Sequence, residues 1–215
     1  MRSRWLPAVL VLATWAFALA VYPSLPERVP THWSVQGEVD GWSSRAFGAF
    51  LPPAIATLVW ALLTFLPRLD PRRENYEKFG GDYRFIVTLV VAFLAVMEVA
   101  TLGYALGWPV DVGGVVMAGV GLLLAGMGNY LPRVRPNWWI GVRTPWTLES
   151  DRVWRATHRV AGRVFVVGGL VLAAVALLAP DPVRGWAVLP LILTVALVPA
   201  VYSYLEWRRE KSDTM

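Results

Sequence analysis

Two histidines and one deep carboxylate are all that this chain offers to acid–base or metal chemistry. The histidines are His32 and His158, and Glu98 is the single ionisable residue inside an otherwise charge-free run of 85–110. Catalysis by side chains needs a nucleophile, base or metal ligand set gathered at one place. The chain has no cysteine, which removes thiolates, disulfides and cysteine-ligated metals. No Ser, Asp or second His stands at useful spacing from His158, so neither a triad, a metal site nor a cofactor is expected. Glu98 is different. A carboxylate at bilayer depth is costly and marks a functional site by default. It lies fourteen residues beyond Arg84, and is expected to be neutral and hydrogen-bonded between helices, since burial disfavours the charge, or to pair with Arg28 or His32.

The elements that must position these groups are membrane helices. Of 215 residues, 56% are hydrophobic and 16% charged. Residues 5–26, 46–67, 112–132, 164–180 and 185–205 contain no Asp, Glu, Lys or Arg, and 85–110 contains only Glu98. A span of roughly 20 apolar residues crosses the hydrocarbon core as a helix, and helices satisfy their own backbone there. The fold class expected is therefore an all-α integral membrane protein with six transmembrane helices. The first run, with Arg2 and Arg4 before it and Ala18-Leu19-Ala20 near its end, imitates a signal peptide. It is long for one and carries Trp5 and Trp15, so an uncleaved helix is expected.

With six helices both termini share a side. That side holds Arg2, Arg4, Arg68, Arg72, Arg73, Lys78, Arg84, the seven arginines of 133–163, Arg208, Arg209 and Lys211, 17 in all, against Arg28, Arg45 and Arg184 on the other. The positive-inside rule places the side with 17, and both termini, in the cytoplasm. A basic face beside anionic lipid accounts for the net charge of +5 without direct nucleic-acid binding. It also puts His32 and His158 on opposite sides, which argues against an enzyme.

The outer loop 23–45 carries Pro23, Pro26, Pro30, Gly37 and Gly41, and is expected to be compact and built of turns. The cytoplasmic loop 67–84 reads as a solvated basic linker. In helix four, Gly114, Ala118, Gly121, Ala125 and Gly128 alternate spacings of four and three, a small-residue face for close helix packing. Pro190 and Pro199 are expected to bend helix six.

The densest stretch runs from Asn129 to Arg163, with seven arginines, no lysine and four tryptophans. Trp138 and Trp139 suit the headgroup level. Thr147 is expected to cap a helix with Glu149 and Asp151 in its first turn. Asp151 and Arg155, and Trp154 and His158, share helix faces. The expectation is an amphipathic interfacial helix running into the fifth span, with His158 as a surface or packing residue.

The residues Gly128-Asn129-Tyr130, Arg135-Pro136-Asn137, Ile140-Gly141, Arg143-Thr144-Pro145-Trp146-Thr147-Leu148, Val153-Trp154, Thr157-His158-Arg159, Gly162 and Gly168-Gly169 form an ordered series. It resembles the membrane-domain signature of the SdpI-like family, immunity proteins against a sporulation-delaying peptide toxin. In the first outer loop, Leu25-Pro26, Val29-Pro30, His32-Trp33, Gly37 and Asp40-Gly41-Trp42 resemble a short membrane domain of unknown function often found N-terminal to the SdpI-like part. The division expected is an N-terminal membrane domain over 1–66, a basic loop over 67–84, a third helix over 85–111, an SdpI-like domain over 112–206 and a tail over 207–215.

The resemblance implies a multi-pass protein of the bacterial inner membrane that protects its cell from a secreted, membrane-active peptide. In the family's founding system the immunity protein also binds a cytosolic transcriptional repressor, so signal transduction is a second implied role. Membrane lipids, a peptide toxin and such a repressor are the partners expected. For toxin contact the outer loop offers Pro30, His32, Trp33, Glu38, Asp40 and Trp42. The cytoplasmic signature comprises Asn129, Arg135, Asn137, Arg143, Thr144, Pro145, Trp146, Thr147, Trp154 and His158. The alternative is a small transporter or channel built on Glu98 and a bent helix six.

Overall fold

Charge-free runs of this length close their backbone hydrogen bonds as helices, and six helices among the described residues are long and apolar enough to cross a membrane. The computed structural model describes residues 5–34 and 37–213; Arg2 and Arg4, counted in the basic balance, lie outside the described residues. Helix α1 spans Leu6–Val21. Strands β1 (Arg28–Trp33) and β2 (Val39–Ser44) follow, then α2 (Arg45–Phe65), α3 (Glu74–Ala105), α4 (Val112–Gly128), the short α5 (Pro145–Glu149), α6 (Asp151–Leu178) and α7 (Asp181–Asp213). The chain is an all-α multi-pass membrane protein with one added hairpin. Among the described residues large apolar side chains such as Leu12, Leu58, Val167, Leu177 and Leu189 are exposed, as a lipid-facing surface requires.

Successive long helices run in opposite directions, so the hairpin sits at one end of the bundle and residues 129–150 at the other. At the hairpin end Ala18, Leu25, Val29, Ala49 and Leu102 form a core, into which α1 is built. At the far end Val11, Tyr76, Phe79, Tyr83, Ile86, Val134, Ile140 and Trp154 form another. The two halves of the bundle differ in how they pack: α1, α2 and α3 contact one another, whereas α4, α6 and α7 form the second group.

The small-residue face of α4 does meet another helix, and the partner is α6. A Cβ on Gly121 would come within 2.5 Å of the Gly169 carbonyl oxygen and 2.6 Å of Ala173 N. Only glycine permits this backbone approach, which is how membrane helices associate without a hydrophobic drive.

Two expectations change. The loop 67–84 is not a plain solvated linker, because α3 begins at Glu74. Tyr76, Phe79 and Tyr83 are buried together around a kink in α3, where Phe79 takes the non-helical angles φ −134° and ψ 18°. Thr147 is not a helix cap. Thr144 caps α5, with its hydroxyl accepting from Thr147 N–H, and Ser150 caps α6 by accepting from Arg152 and Val153 N–H. As expected, the amphipathic stretch 151–163 runs into the fifth span, and the two form one 28-residue helix, with Gly162 packed against α4. Pro190 and Pro199 lie inside α7, which is continuous over Asp181–Asp213.

Candidate functional site

The hairpin end is ordered by its turn residues. Strands β1 and β2 pair antiparallel, with Pro30 opposite Trp42, His32 opposite Gly41, and bulges on either side of His32. A Cβ on Gly41 would sit 2.7 Å from the His32 Cβ, so glycine is needed for the strands to close there. Gly37 takes φ +84°, a left-handed conformation that L side chains rarely adopt. Ser34 N–H donates to the Glu38 carbonyl oxygen at 2.8 Å.

Of the toxin-contact residues expected in this loop, His32, Glu38, Asp40 and Trp42 are exposed and Trp33 is half-buried. The His32 ring bonds Asp40, which removes it as a partner for Glu98. Trp33 meets the Tyr104 ring edge-on, with centroids 5.9 Å apart. Pro30 is buried and lines a different space.

Behind the hairpin lies a cavity of about 780 Å³ lined by Trp33, Ser34 and Gly37 together with residues of α4, α6 and α7. Its walls are mostly apolar, including Val116, Met117, Val120, Leu172, Val188 and Ile192, and Asp111 and Arg184 supply its charges. Asp111 caps α4 by accepting from Gly114 N–H at 2.9 Å, and its other oxygen meets Arg184 at 2.5 Å. Arg184 also donates to the Ala179 carbonyl oxygen at 2.8 Å. The ion pair therefore ties the starts of α4 and α7 together beside the cavity.

Glu98 and Pro30 are brought together at a smaller cavity of about 230 Å³ between α2, α3 and β1. Glu98 is 1% exposed, and neither carboxylate oxygen has a hydrogen-bond partner among the described residues. Neither the expected hydrogen bond between helices nor the expected pairing with Arg28 or His32 is present among the described residues, because Arg28 and His32 are exposed and His32 bonds Asp40.

At the opposite end the signature residues form a clasp. Asn137 is fully buried, and its amide donates to the carbonyl oxygens of Arg135 and Ile140, both at 2.9 Å. Its side-chain oxygen accepts from Trp139 N–H at 2.8 Å and Ile140 N–H at 2.7 Å, with the Tyr76 hydroxyl 3.1 Å away. Every hydrogen-bonding atom of the amide side chain is thus engaged. The His158 ring is similarly committed. Its Nδ1–H donates to the Trp154 carbonyl oxygen at 2.8 Å, and its Nε2 accepts from Val142 N–H at 3.1 Å, an arrangement that only the neutral Nδ1–H tautomer satisfies. Trp154 stacks on that ring at 4.1 Å and donates from its indole N–H to the Val134 carbonyl oxygen at 2.9 Å.

Thr147 is buried and hydrogen-bonds the Val142 and Thr144 carbonyl oxygens, while the Thr144 hydroxyl lies 2.9 Å from Ser203 on α7. Pro145 opens α5, and Trp146 packs its ring 5.0 Å from Tyr204. Arg143 donates to the Trp138 carbonyl oxygen. Asp151, four residues from Arg155 on α6, pairs with Arg72 at 3.7 Å. At the end of α5, Glu149 accepts from Lys211 at 2.9 Å and from the Trp207 indole at 2.8 Å. The hydrogen bond from Lys211 holds its carboxyl below the usual range. Asn129, Arg135 and Arg143 remain exposed.

The buried signature residues Asn137, Thr147, Trp154 and His158 hold backbone in place, whereas the buried Thr157 hydroxyl has no hydrogen-bond partner among the described residues. Sequence reasoning missed what they hold to. Asp70 is buried and accepts from Arg72 N–H at 2.7 Å, Trp138 N–H at 2.8 Å and the Tyr76 hydroxyl at 2.9 Å, and Asn75 donates to the Pro136 carbonyl oxygen at 2.8 Å. It also missed the Asp111–Arg184 pair. An Asp directly before an apolar run is a helix-cap signal that would have found Asp111; nothing local marks Asp70, whose partners lie near residue 137.

Comparison with known proteins agrees with the two ends described. Residues 133–203 match the SdpI/YfhL protein family, and residues 9–57 match a domain of unknown function, DUF1648. The chain is 23% identical over 209 residues to the Immunity protein SdpI of Bacillus subtilis (strain 168), covering 97% of this chain and 98% of that protein. No solved structure matches it.

Proposed function

Because the chain is SdpI-like along nearly its whole length and crosses a bacterial membrane as six helices, we propose that it protects its cell from a secreted, membrane-active peptide by binding it, without chemistry. The hairpin end faces outward, as the 17-to-3 distribution of basic residues favours. The observation that carries the proposal is the cavity of about 780 Å³ behind the hairpin. Its size and apolar walls suit the hydrophobic face of an amphipathic peptide, and Glu38, Asp40 and Trp42, exposed on the same hairpin that supplies Trp33 to its wall, suit the basic and apolar groups such a peptide carries. His32 serves by fixing Asp40 in place.

A cytosolic repressor would meet the opposite end, where Arg135, Arg143 and Arg155 are exposed on a rigid frame. The clasp around Asn137 and His158 gives that surface its fixed shape.

Expression in a Bacillus subtilis strain deleted for its own SdpI tests the proposal. Survival against the peptide that kills that strain should rise, and Trp33→Ala with Asp40→Ala should reduce it at unchanged membrane levels. Unimproved survival at verified expression would overturn it. A second reading, transport, is favoured by one observation, the unpartnered Glu98 carboxylate beside a cavity. Ion flux through reconstituted protein that vanishes in Glu98→Ala would establish that reading instead.

A further inference from the structure

A third cavity, of about 360 Å³, lies between the end of α4 and the middle of α6, and the immunity reading makes no use of it. Its floor is backbone. A Cβ on Gly162 would meet the Gly128 carbonyl oxygen at 2.8 Å and the Pro132 ring at 2.9 Å, so the helices touch there with no side chain to fill the space above. Around that floor stand Asn129, Arg159 and Arg163 at one end and Val166 and Val167 at the other.

The charge on this cleft is unbalanced. Arg159 and Arg163 are four residues apart, so they share a helix face, and both are exposed. Neighbouring arginines are spent elsewhere: Arg133 on Asp82 and the Tyr130 ring, Arg152 on Glu206 and Asp213. Arg159 and Arg163 have no ion-pair partner among the described residues, and no carboxylate lines the cleft. Arg163 is also the last charge before the run of 164–180. The cleft thus passes from two guanidinium groups to an apolar wall within one helical turn, at the level where a membrane passes from headgroup to acyl chain.

We propose that this cleft binds an anionic phospholipid, with the headgroup phosphate held between Arg159 and Arg163 and an acyl chain along Val166 and Val167. Guanidinium groups present planar, paired donors to phosphate oxygens, and Asn129 adds an amide. Basic pockets between membrane helices suit such headgroups. Commitment to a lipid rather than a soluble phosphate rests on the apolar end of the cleft, which a free anion would leave uncovered. The inference stands on either orientation of the chain.

The test uses the full chain in nanodiscs of phosphatidylcholine with and without phosphatidylglycerol, read by native mass spectrometry of retained lipid. The wild-type chain should retain phosphatidylglycerol in preference to phosphatidylcholine, and Arg159→Gln with Arg163→Gln should abolish the preference. Val166→Trp, which fills the apolar end and leaves both arginines, should also abolish it. Thermal unfolding in pure phosphatidylcholine checks that each variant is folded. Unchanged preference in folded variants would overturn the proposal. So would displacement of the lipid by inorganic phosphate, which would mark a simple anion site.

Discussion

The Tyr76 hydroxyl lies 3.1 Å from the side-chain oxygen of Asn137, across 61 residues of chain. Through this contact and the shared acceptor Asp70, the start of α3 fixes the loop that carries most of the signature. The two partners differ in what their loss exposes. Tyr76→Phe removes one hydroxyl and should cost about 1 kcal/mol. Asn137→Ala leaves the Trp139 and Ile140 N–H groups without an acceptor and should cost about 3 kcal/mol. Thermal unfolding in one detergent would rank them, and faster hydrogen exchange at 139–140 in Asn137→Ala alone would identify the cause.

Gly141 is required twice over. It takes φ +118°, and a Cβ there would collide with the His158 Nε2 that accepts from Val142. Gly141→Ala should therefore cost more than about 2 kcal/mol. Gly107 has φ +83° with open space around it, so Gly107→Ala should cost only the conformational part, about 1 kcal/mol. Equal unfolding midpoints for the two variants would show that the His158 contact contributes nothing.

The end of α7 should detach in acid. The Glu149 carboxyl is held below its usual range by the Lys211 hydrogen bond, with help from Trp207. A lowered folded-state value means the contact is intact at neutral pH and lost as pH falls through that value, below the ordinary glutamate pKa of about 4.3. Hydrogen exchange over 205–213 should rise in that window, and high salt should weaken the contact at any pH because it is exposed. Glu149→Gln should reduce the pH dependence, leaving the part carried by the pairs of Arg152 with Glu206 and Asp213.

The chain lacks cysteine, so single cysteines report sidedness cleanly. Glu38→Cys should react with an impermeant thiol reagent added to intact cells, and Arg155→Cys only after lysis. The opposite pattern would reverse the orientation drawn from the basic residues.

The six helices were legible because lipid leaves helix as the only outlet for long apolar runs, and the α4 stripe was legible because glycine spacing is a direct record of close approach. What escaped was encoded at longer range or beneath stronger signals. The early start of α3 was hidden by charge, and the kink at Phe79 interrupts the helical period that would have joined it to the span. Thr147 resembled a cap, yet Pro145 favours the first helical position and so pointed to Thr144. The signature residues were found at one end of the bundle. That Asn137, Thr147, Trp154 and His158 face inward was not readable, since their roles depend on partners such as Tyr76 and Val134 that no local pattern marks.

The central claim is that a peptide toxin is bound at the hairpin-end cavity. Photoreactive residues placed at Met117 and Val188, which line that cavity, and at Val167, which lines the far cleft, would test it in toxin-challenged cells expressing the chain. The account predicts cross-linking to the peptide from Met117 and Val188 and none from Val167. Protected cells that give no cross-link at the first two positions, or an equal yield at all three, would contradict it.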